Sequence, residues 1–284
     1  MLILSYMHTR KVKPGISFFN KMSNVFNICL ILFLLPLYSN AQDTPTDKDV
    51  TDQLQFWTSI NTTFRFTDRW GLMGDFHIRR NNFILDPSFY FMRAGGVYWL
   101  DNKFSLAGGG ALLWLATETE QAGNQFALEK RIYQQILWRN EIRNIVFLQR
   151  IRNEQRWHHI LDNQTGDIDH TRFTNRVRFL LSGTIKVLKN EKLPRFVVAD
   201  EILFHFGNEV TYNTFDQNRI FLGISQRFGK GWKYDFGYML VFQQKYTGYQ
   251  YDRNHTIRLF FYYSPDLRKK KGADMPHYPI SGSE

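Results

Sequence analysis

Among the residues able to do chemistry, the histidines come first. His77 lies two positions from Asp75 and His205 four positions from Glu201, each pair on one parity of an extended chain. An imidazole oriented by a carboxylate is the base half of a nucleophilic site, as in acyl hydrolysis and transfer. Local spacing sets no serine beside either pair, so the triad is incomplete and no catalytic residue is assigned. A second group, His158, His159, Asp162, Asp167, Asp169 and His170, has ligand types that suit a divalent ion. The same residues are ordinary in a solvated loop, and the expectation is no metal and no cofactor. Gly108-Gly109-Gly110 is no phosphate loop, because neither the lysine nor the helix follows; it suggests bending or close packing instead.

What must position these groups is a pattern of strict two-residue alternation. Leu54, Phe56, Thr58, Ile60, Thr62, Phe64 and Phe66 share one parity, against Gln55, Trp57, Ser59, Asn61, Thr63 and Arg65 on the other. Successive side chains of a strand point to opposite faces, so one face is apolar and the other polar. Trp70–Arg79, Arg172–Val187 and Trp232–Tyr246 read the same way, and a helix would scatter the arginines of 172–187 around its circumference. Further strands are expected near Ser88–Leu100, Phe104–Ala116, Leu128–Trp138, Arg143–Trp157, Pro194–Phe206, Phe215–Phe228 and His255–Tyr263. Thr67-Asp68-Arg69, Asp101-Asn102-Lys103 and Gly229-Lys230-Gly231 are short connections, whereas Thr117–Ala127, His158–His170 and Thr247–Asn254 are long and polar. Short turns at one rim, longer loops at the other, and aromatics towards strand ends describe an outer-membrane barrel. Eleven segments conflict with the even strand numbers of such barrels, so about 10–12 strands are expected.

The start of the chain supports that location. Arg10, Lys11, Lys13 and Lys21 precede an apolar run from Val25 to Tyr38 that ends in Ser39-Asn40-Ala41, the order of a cleaved signal peptide. Removing residues 1–41 takes away four Lys/Arg and no Asp/Glu, which leaves 32 basic and 26 acidic residues, formally +6. Export makes lipid or lipopolysaccharide phosphates, rather than nucleic acid, the expected anions. Cys29, the only cysteine, leaves with the signal peptide, so no disulfide framework is expected. The expected organisation is signal peptide 1–41, a periplasmic segment or extra strand at 42–53, an all-β antiparallel transmembrane barrel at 54–264, and a basic tail at 265–284 beginning Arg268-Lys269-Lys270-Lys271.

If the apolar parity faces lipid, the other lines the lumen. That places Arg65, Arg79, Arg93, Arg131, Arg150, Arg152, Arg156, Arg172, Arg176, Arg178, Arg219, Arg227 and Arg258 inside, with Asp75, Glu129, Glu154, Glu201 and Asp235. Enclosed charges must pair or stay hydrated, since stranding one costs several kcal/mol. One reading is an ion-pair ladder filling a narrow barrel; the other is a positive lumen that guides anionic solutes or lipid phosphates. The candidate network is Glu129, Arg131, Arg152, Glu154, Arg156, Arg172, Arg176, Arg178, Glu201 and Arg219.

Short motifs also occur in order: Glu129-Lys-Arg131-Ile-Tyr-Gln-Gln135, Asn153-Glu154-Gln-Arg156, Arg172-Phe-x-x-Arg176-x-Arg178, Asp200-Glu201-Ile, Phe215-Asp-Gln-Asn-Arg219 and Phe236-Gly-Tyr238. Together, from Leu54 to Tyr263, the chain resembles the exported family catalogued as domain of unknown function 2490. The resemblance implies an outer-membrane β-barrel without an agreed activity and adds no catalytic residue. The functional expectation is a non-enzymatic barrel: a small pore, a lipid or solute binder, or an envelope component. A lipid-modifying enzyme and a soluble lipocalin-like protein are the alternatives. Expected partners are outer-membrane lipids, lipopolysaccharide phosphates and, during biogenesis, the barrel-assembly machinery.

Overall fold

A computed structural model describes residues 48–116, 125–187 and 193–268. The signal-peptide reading with Cys29 and Ala41, the loop residues 117–124 and Lys269-Lys270-Lys271 lie outside the described residues. Eleven strands follow in chain order: β1 (Asp49–Arg65), β2 (Trp70–Asn81), β3 (Asp86–Trp99), β4 (Phe104–Ala116), β5 (Phe126–Ile142), β6 (Ile145–Leu161), β7 (Ile168–Ile185), β8 (Arg195–Phe206), β9 (Phe215–Phe228), β10 (Trp232–Gln244) and β11 (Gln250–Tyr263).

Neighbouring strands pair antiparallel as hairpins, and β1 meets β11 to close the barrel. With an odd number of strands the first and last run the same way, so the seam is parallel, from Asp49 opposite Gln250 to Thr62 opposite Tyr263. The strand count is therefore odd, resolved by one parallel pair that leaves no open edge. Following paired residues from Thr51 through all the other strands returns to β1 at Arg65, a stagger of about 14 residues, which tilts the strands by roughly 40–45°.

The odd count also separates the chain ends. β1 starts at the rim holding the 82–85, 162–167, 207–214 and 245–249 connections, where β4 ends and β5 begins, here the loop rim. β11 ends at the opposite, turn rim, beside 66–69, 100–103, 143–144 and 229–231, where β7 ends and β8 begins. Residues 49–53 are the first part of β1, so they form no extra strand. A periplasmic N-terminal segment and a periplasmic tail exclude one another in this topology. The tail begins by extending the seam: Leu267 N–H donates to Arg65 O at 2.9 Å, and Arg268 reaches Asp68 at 2.6 Å and Asp266 at 2.8 Å. Arg268 is buried rather than solvated.

Alternation along β1 and β2 matches the sequence reading residue for residue. Gln55, Trp57, Ser59, Asn61, Thr63 and Arg65 are buried inward, while Ile60, Leu72 and Phe76 are exposed outward. Aromatic pairs ring both ends, with Trp70 against Tyr98 and Trp232 stacked on Tyr263 at the turn rim, and Tyr90 against Phe126 and Trp157 against Phe173 towards the loop rim. That is the girdle an outer-membrane barrel places at its interfaces. The outer face also carries polar pairs that satisfy each other: Gln134 donates to Gln155 at 3.1 Å, and Asn218 to Asp200 at 2.7 Å.

The glycine run packs closely. Gly109 faces Gly95 across β3 and β4, and a methyl group at Gly95 would overlap the Tyr133 hydroxyl that lies over it. The absent side chains make room for that tyrosine.

The seam gives a direct prediction. Thr58 and Leu259 are register partners with outward side chains. A Thr58→Cys/Leu259→Cys double variant is expected to form a disulfide on oxidation, read as a mobility shift on non-reducing gels. Thr58→Cys/Phe261→Cys, two residues out of register, is not. Cross-linking of the second pair alone would refute the parallel register.

Candidate functional site

The inner wall of β5–β9 carries a continuous ion-pair belt across the lumen. Glu154, on β6, accepts from Arg176 at 2.8 and 2.5 Å and from Arg178 at 2.9 Å, with Arg131 and Arg152 at 3.7 and 3.6 Å. Glu201, on β8, accepts from Arg150 at 2.6 Å, Arg178 at 2.9 Å and Arg219 at 3.3 Å. Arg178 on β7 touches both carboxylates, so the chain of contacts runs Arg131, Glu154, Arg178, Glu201, Arg219 through five adjacent strands. Neighbours complete it. Arg131 pairs with Glu129, Arg93 with Asp75, and Arg152 donates to Gln135 at 3.0 and 2.8 Å.

The belt fills the barrel. Arg150, Arg152, Arg178, Glu201 and His77 are no more than 1% exposed, as are Leu203, Phe260 and Met239 beside them. The ladder reading therefore describes the waist. Of the ten network candidates, eight make contacts within this belt, and Arg156 and Arg172 stand beside it. Arg172, only partly covered, joins through Tyr246: its guanidinium lies 3.6 Å from that ring, whose hydroxyl also accepts from Arg156 at 3.2 Å. Arg227 keeps the inward parity expected of it and lines the mouth of the lumen at the turn rim, where solvent reaches it.

Asp216 is a member that alternation misses. It is 4% exposed and accepts from Arg176 at 3.2 Å. The register of β8 and β9 steps from Leu203 opposite Gln217 to Phe204 opposite Phe215, leaving Asp216 as the extra residue of a bulge. A bulge turns an outward-parity side chain inward, which only the register reveals.

The histidines meet no nucleophile. His77 is wedged between the rings of Phe91 and Phe260, each 5.3 Å away, and neither of its nitrogens has a hydrogen-bond partner. Ser59 is its cross-strand neighbour, but its hydroxyl accepts from Asn61 at 2.7 Å. Both nitrogens of His205 also lack a hydrogen bond. The expected long loop at 158–170 is mostly strand: His158 and His159 stand on β6, Asp169 and His170 on β7, and only 162–167 connects them. Asp162 accepts the Gln164 and Thr165 amides at 2.8 Å, which folds the turn and holds its carboxyl below the usual range. Among the described residues no group of three or more His, Cys, Asp or Glu is placed to hold a metal ion.

The waist separates two cavities. On the loop-rim side lies a space of about 700 Å³ lined by Arg79, Arg131, Arg156, Arg176, Arg178 and Arg219, against Asp86, Glu129, Asp216 and Asp252. Among the described residues Arg79 meets no carboxylate. Its guanidinium is held 3.3 Å from the Trp57 ring and 4.1 Å from the Phe89 ring, and its Nε has no hydrogen-bond partner. Among the described residues Arg156 donates to the neutral hydroxyls of Thr174 and Tyr246 and to no carboxylate. Aromatic faces offset part of the desolvation of a cation and leave its N–H groups available to an anion.

Removing one carboxylate hub strands several guanidinium groups that cannot deprotonate. Glu201→Ala leaves Arg150, Arg178 and Arg219 without this partner and is expected to lower unfolding stability by about 3–5 kcal/mol. The check is urea titration of tryptophan fluorescence in lipid vesicles. A change below about 1 kcal/mol would show that the belt is hydrated and not a packed plug.

The comparisons come to this chain without an activity. No curated protein matches it. Among solved structures it is similar to the β domain of the Bordetella autotransporter BrkA, at 11% identity and a TM-score of 0.40, over 62% of this chain and 77% of that one. Residues 54–261, most of the chain and all but the outer ends of the barrel, match the family described as Protein of unknown function (DUF2490), and the chain belongs to that family.

Proposed function

We propose that this protein is a non-enzymatic outer-membrane barrel, closed at its waist, that binds small anionic solutes in the loop-rim cavity. The observation that carries this reading is Arg79: a guanidinium 6% exposed, clamped on two rings with no carboxylate, at the wall of a cavity that its neighbours keep positive. An anion entering there replaces water at donors already desolvated and oriented, so little reorganisation opposes binding. The packed belt beneath favours a binding chamber over an open pore.

Outer-membrane residence is supported by the wall itself. Ile132, Ile136, Ile220, Leu222 and Phe236 stand exposed on the outside while the charges lie within, the reverse of a lipocalin-like barrel that hides its apolar face. The outer-membrane lipids are then the partners of that exterior, lipopolysaccharide phosphates those of the basic rims, and the assembly machinery inserts the barrel. With the C-terminal end of β11 in the periplasm, the loop-rim cavity opens outwards.

Two measurements test the reading. The protein reconstituted in planar bilayers is expected to show no steady conductance. Calorimetric titration in lipid nanodiscs with inorganic phosphate and with succinate is expected to show binding that falls at least tenfold in Arg79→Ala. A stable open channel in the unmodified protein, or anion affinity unchanged in Arg79→Ala, would contradict it.

A further inference from the structure

The second cavity, about 400 Å³ at the turn rim, has a different chemistry. Among the described residues its cations are Arg139, Arg195, Arg227, Lys233 and Arg258, and its lining contains one carboxylate, Asp235. That acid is shared, 3.2 Å from Lys233 and 3.9 Å from Arg258. Arg258 is 3% exposed and lies 4.2 Å from the rings of both Phe221 and Phe260, with its Nε lacking a hydrogen-bond partner. Among the described residues Arg195 and Arg227 make no direct ion pair, and Arg195 acts on Glu141, outside the cavity lining, only by longer-range attraction.

Below these cations the wall is apolar. Leu180, Val197, Ala199 and Phe221 belong to one buried cluster, with Leu148 packed against it, and all five line the cavity. The change falls at one level: four of the five stand two positions from a member of the ion-pair belt, Leu148 from Arg150, Leu180 from Arg178, Ala199 from Glu201 and Phe221 from Arg219, and Val197 comes one step further towards the rim. The belt seals the bottom. From Arg195 at the rim to Ala199 at the floor is about 13 Å of strand, long enough for a short alkyl chain.

We propose that the turn-rim cavity is a binding site for an anionic amphiphile, an alkyl chain ending in a carboxylate or phosphate, with the chain on the Leu180–Val197–Phe221 floor and the head among Arg195, Arg227 and Arg258. Apolar wall inside a barrel that opens to water gains from burying hydrocarbon, and a described lining with one carboxylate among five cations gains from an added anion. The chain's own basic run, Arg268-Lys269-Lys270-Lys271, has the same sign as the cluster and is no substitute for that anion. This site is distinct from the Arg79 cavity, since the waist lies between them.

The test is calorimetric titration of the full barrel in lipid nanodiscs with octanoate, octyl phosphate, octanol, acetate and inorganic phosphate. Octanoate and octyl phosphate are expected to bind at least tenfold more tightly than octanol, acetate or phosphate, and whichever of the two is tighter names the preferred head. Arg195→Glu/Arg227→Glu is expected to cut octanoate affinity tenfold or more, and Ala199→Trp, which fills the floor, to abolish it. Heat-modifiability on gels establishes that each variant is folded. Arg79→Ala is expected to leave octanoate binding intact, which separates this site from the loop-rim cavity. Octanol binding as tightly as octanoate, acetate binding as tightly in the Arg79→Ala variant, or unchanged octanoate affinity in a folded Arg195→Glu/Arg227→Glu variant would each overturn the proposal.

Discussion

The arginines of the inner wall are the constraint to which the rest of this barrel answers. A guanidinium group does not shed its proton in a protein, so an arginine enclosed by strands has to find carboxylates, hydroxyls or aromatic faces. Two residues do most of that: Glu154 and Glu201 hold arginines from β5 to β9, with Arg178 shared between them. The geometry needs side chains long enough to cross the lumen and a barrel narrow enough for them to meet, which an eleven-strand wall with its parallel seam supplies. Space is adjusted in the same way elsewhere, as where the paired glycines Gly95 and Gly109 admit Tyr133, whose ring faces Arg93 and Arg152 at 5.1 and 5.5 Å.

The interior is divided along its axis as well as filled. Towards the loop rim the inner parity of β6–β9 carries arginine and carboxylate; towards the turn rim it turns to Leu148, Leu180, Val197, Ala199 and Phe221. Charge pairs and hydrocarbon thereby pack in separate layers, and each layer borders a cavity of its own character. Cation–π contacts join them at the boundary: Arg219 faces Trp57 at 5.5 Å, and Arg258 lies against Phe221 and Phe260. The packed waist thus lies between one polar and one amphipathic chamber.

Much of this was legible before any coordinates, because parity along a strand carries the information. The inward positions of Arg65, Arg93, Arg150, Arg176 and Arg258 follow from alternation alone, as do those of Asp75, Glu129, Glu154, Glu201 and Asp235. What alternation cannot carry is anything set by register or by partners distant in sequence. Asp216 enters the network through a bulge between β8 and β9; the parallel seam depends on how β1 meets a strand some 200 residues later; and the sharing of Arg178 by Glu154 and Glu201 needs three strands in register. Strand ends carry less of the signal: polar His158, His159 and His170 extend β6 and β7 beyond the apolar pattern that marks the membrane.

The central claim is that the waist is a packed ion-pair plug and not a hydrated pore lining. The measurement that tests it most directly is solid-state NMR of the protein in lipid bilayers, with nitrogen–carbon correlations between arginine guanidinium groups and glutamate carboxylates. The account predicts contacts from Arg178 to both Glu154 and Glu201, with guanidinium protons that exchange slowly with water. Absence of those correlations together with rapid exchange would mean that water fills the waist, and the account would be wrong.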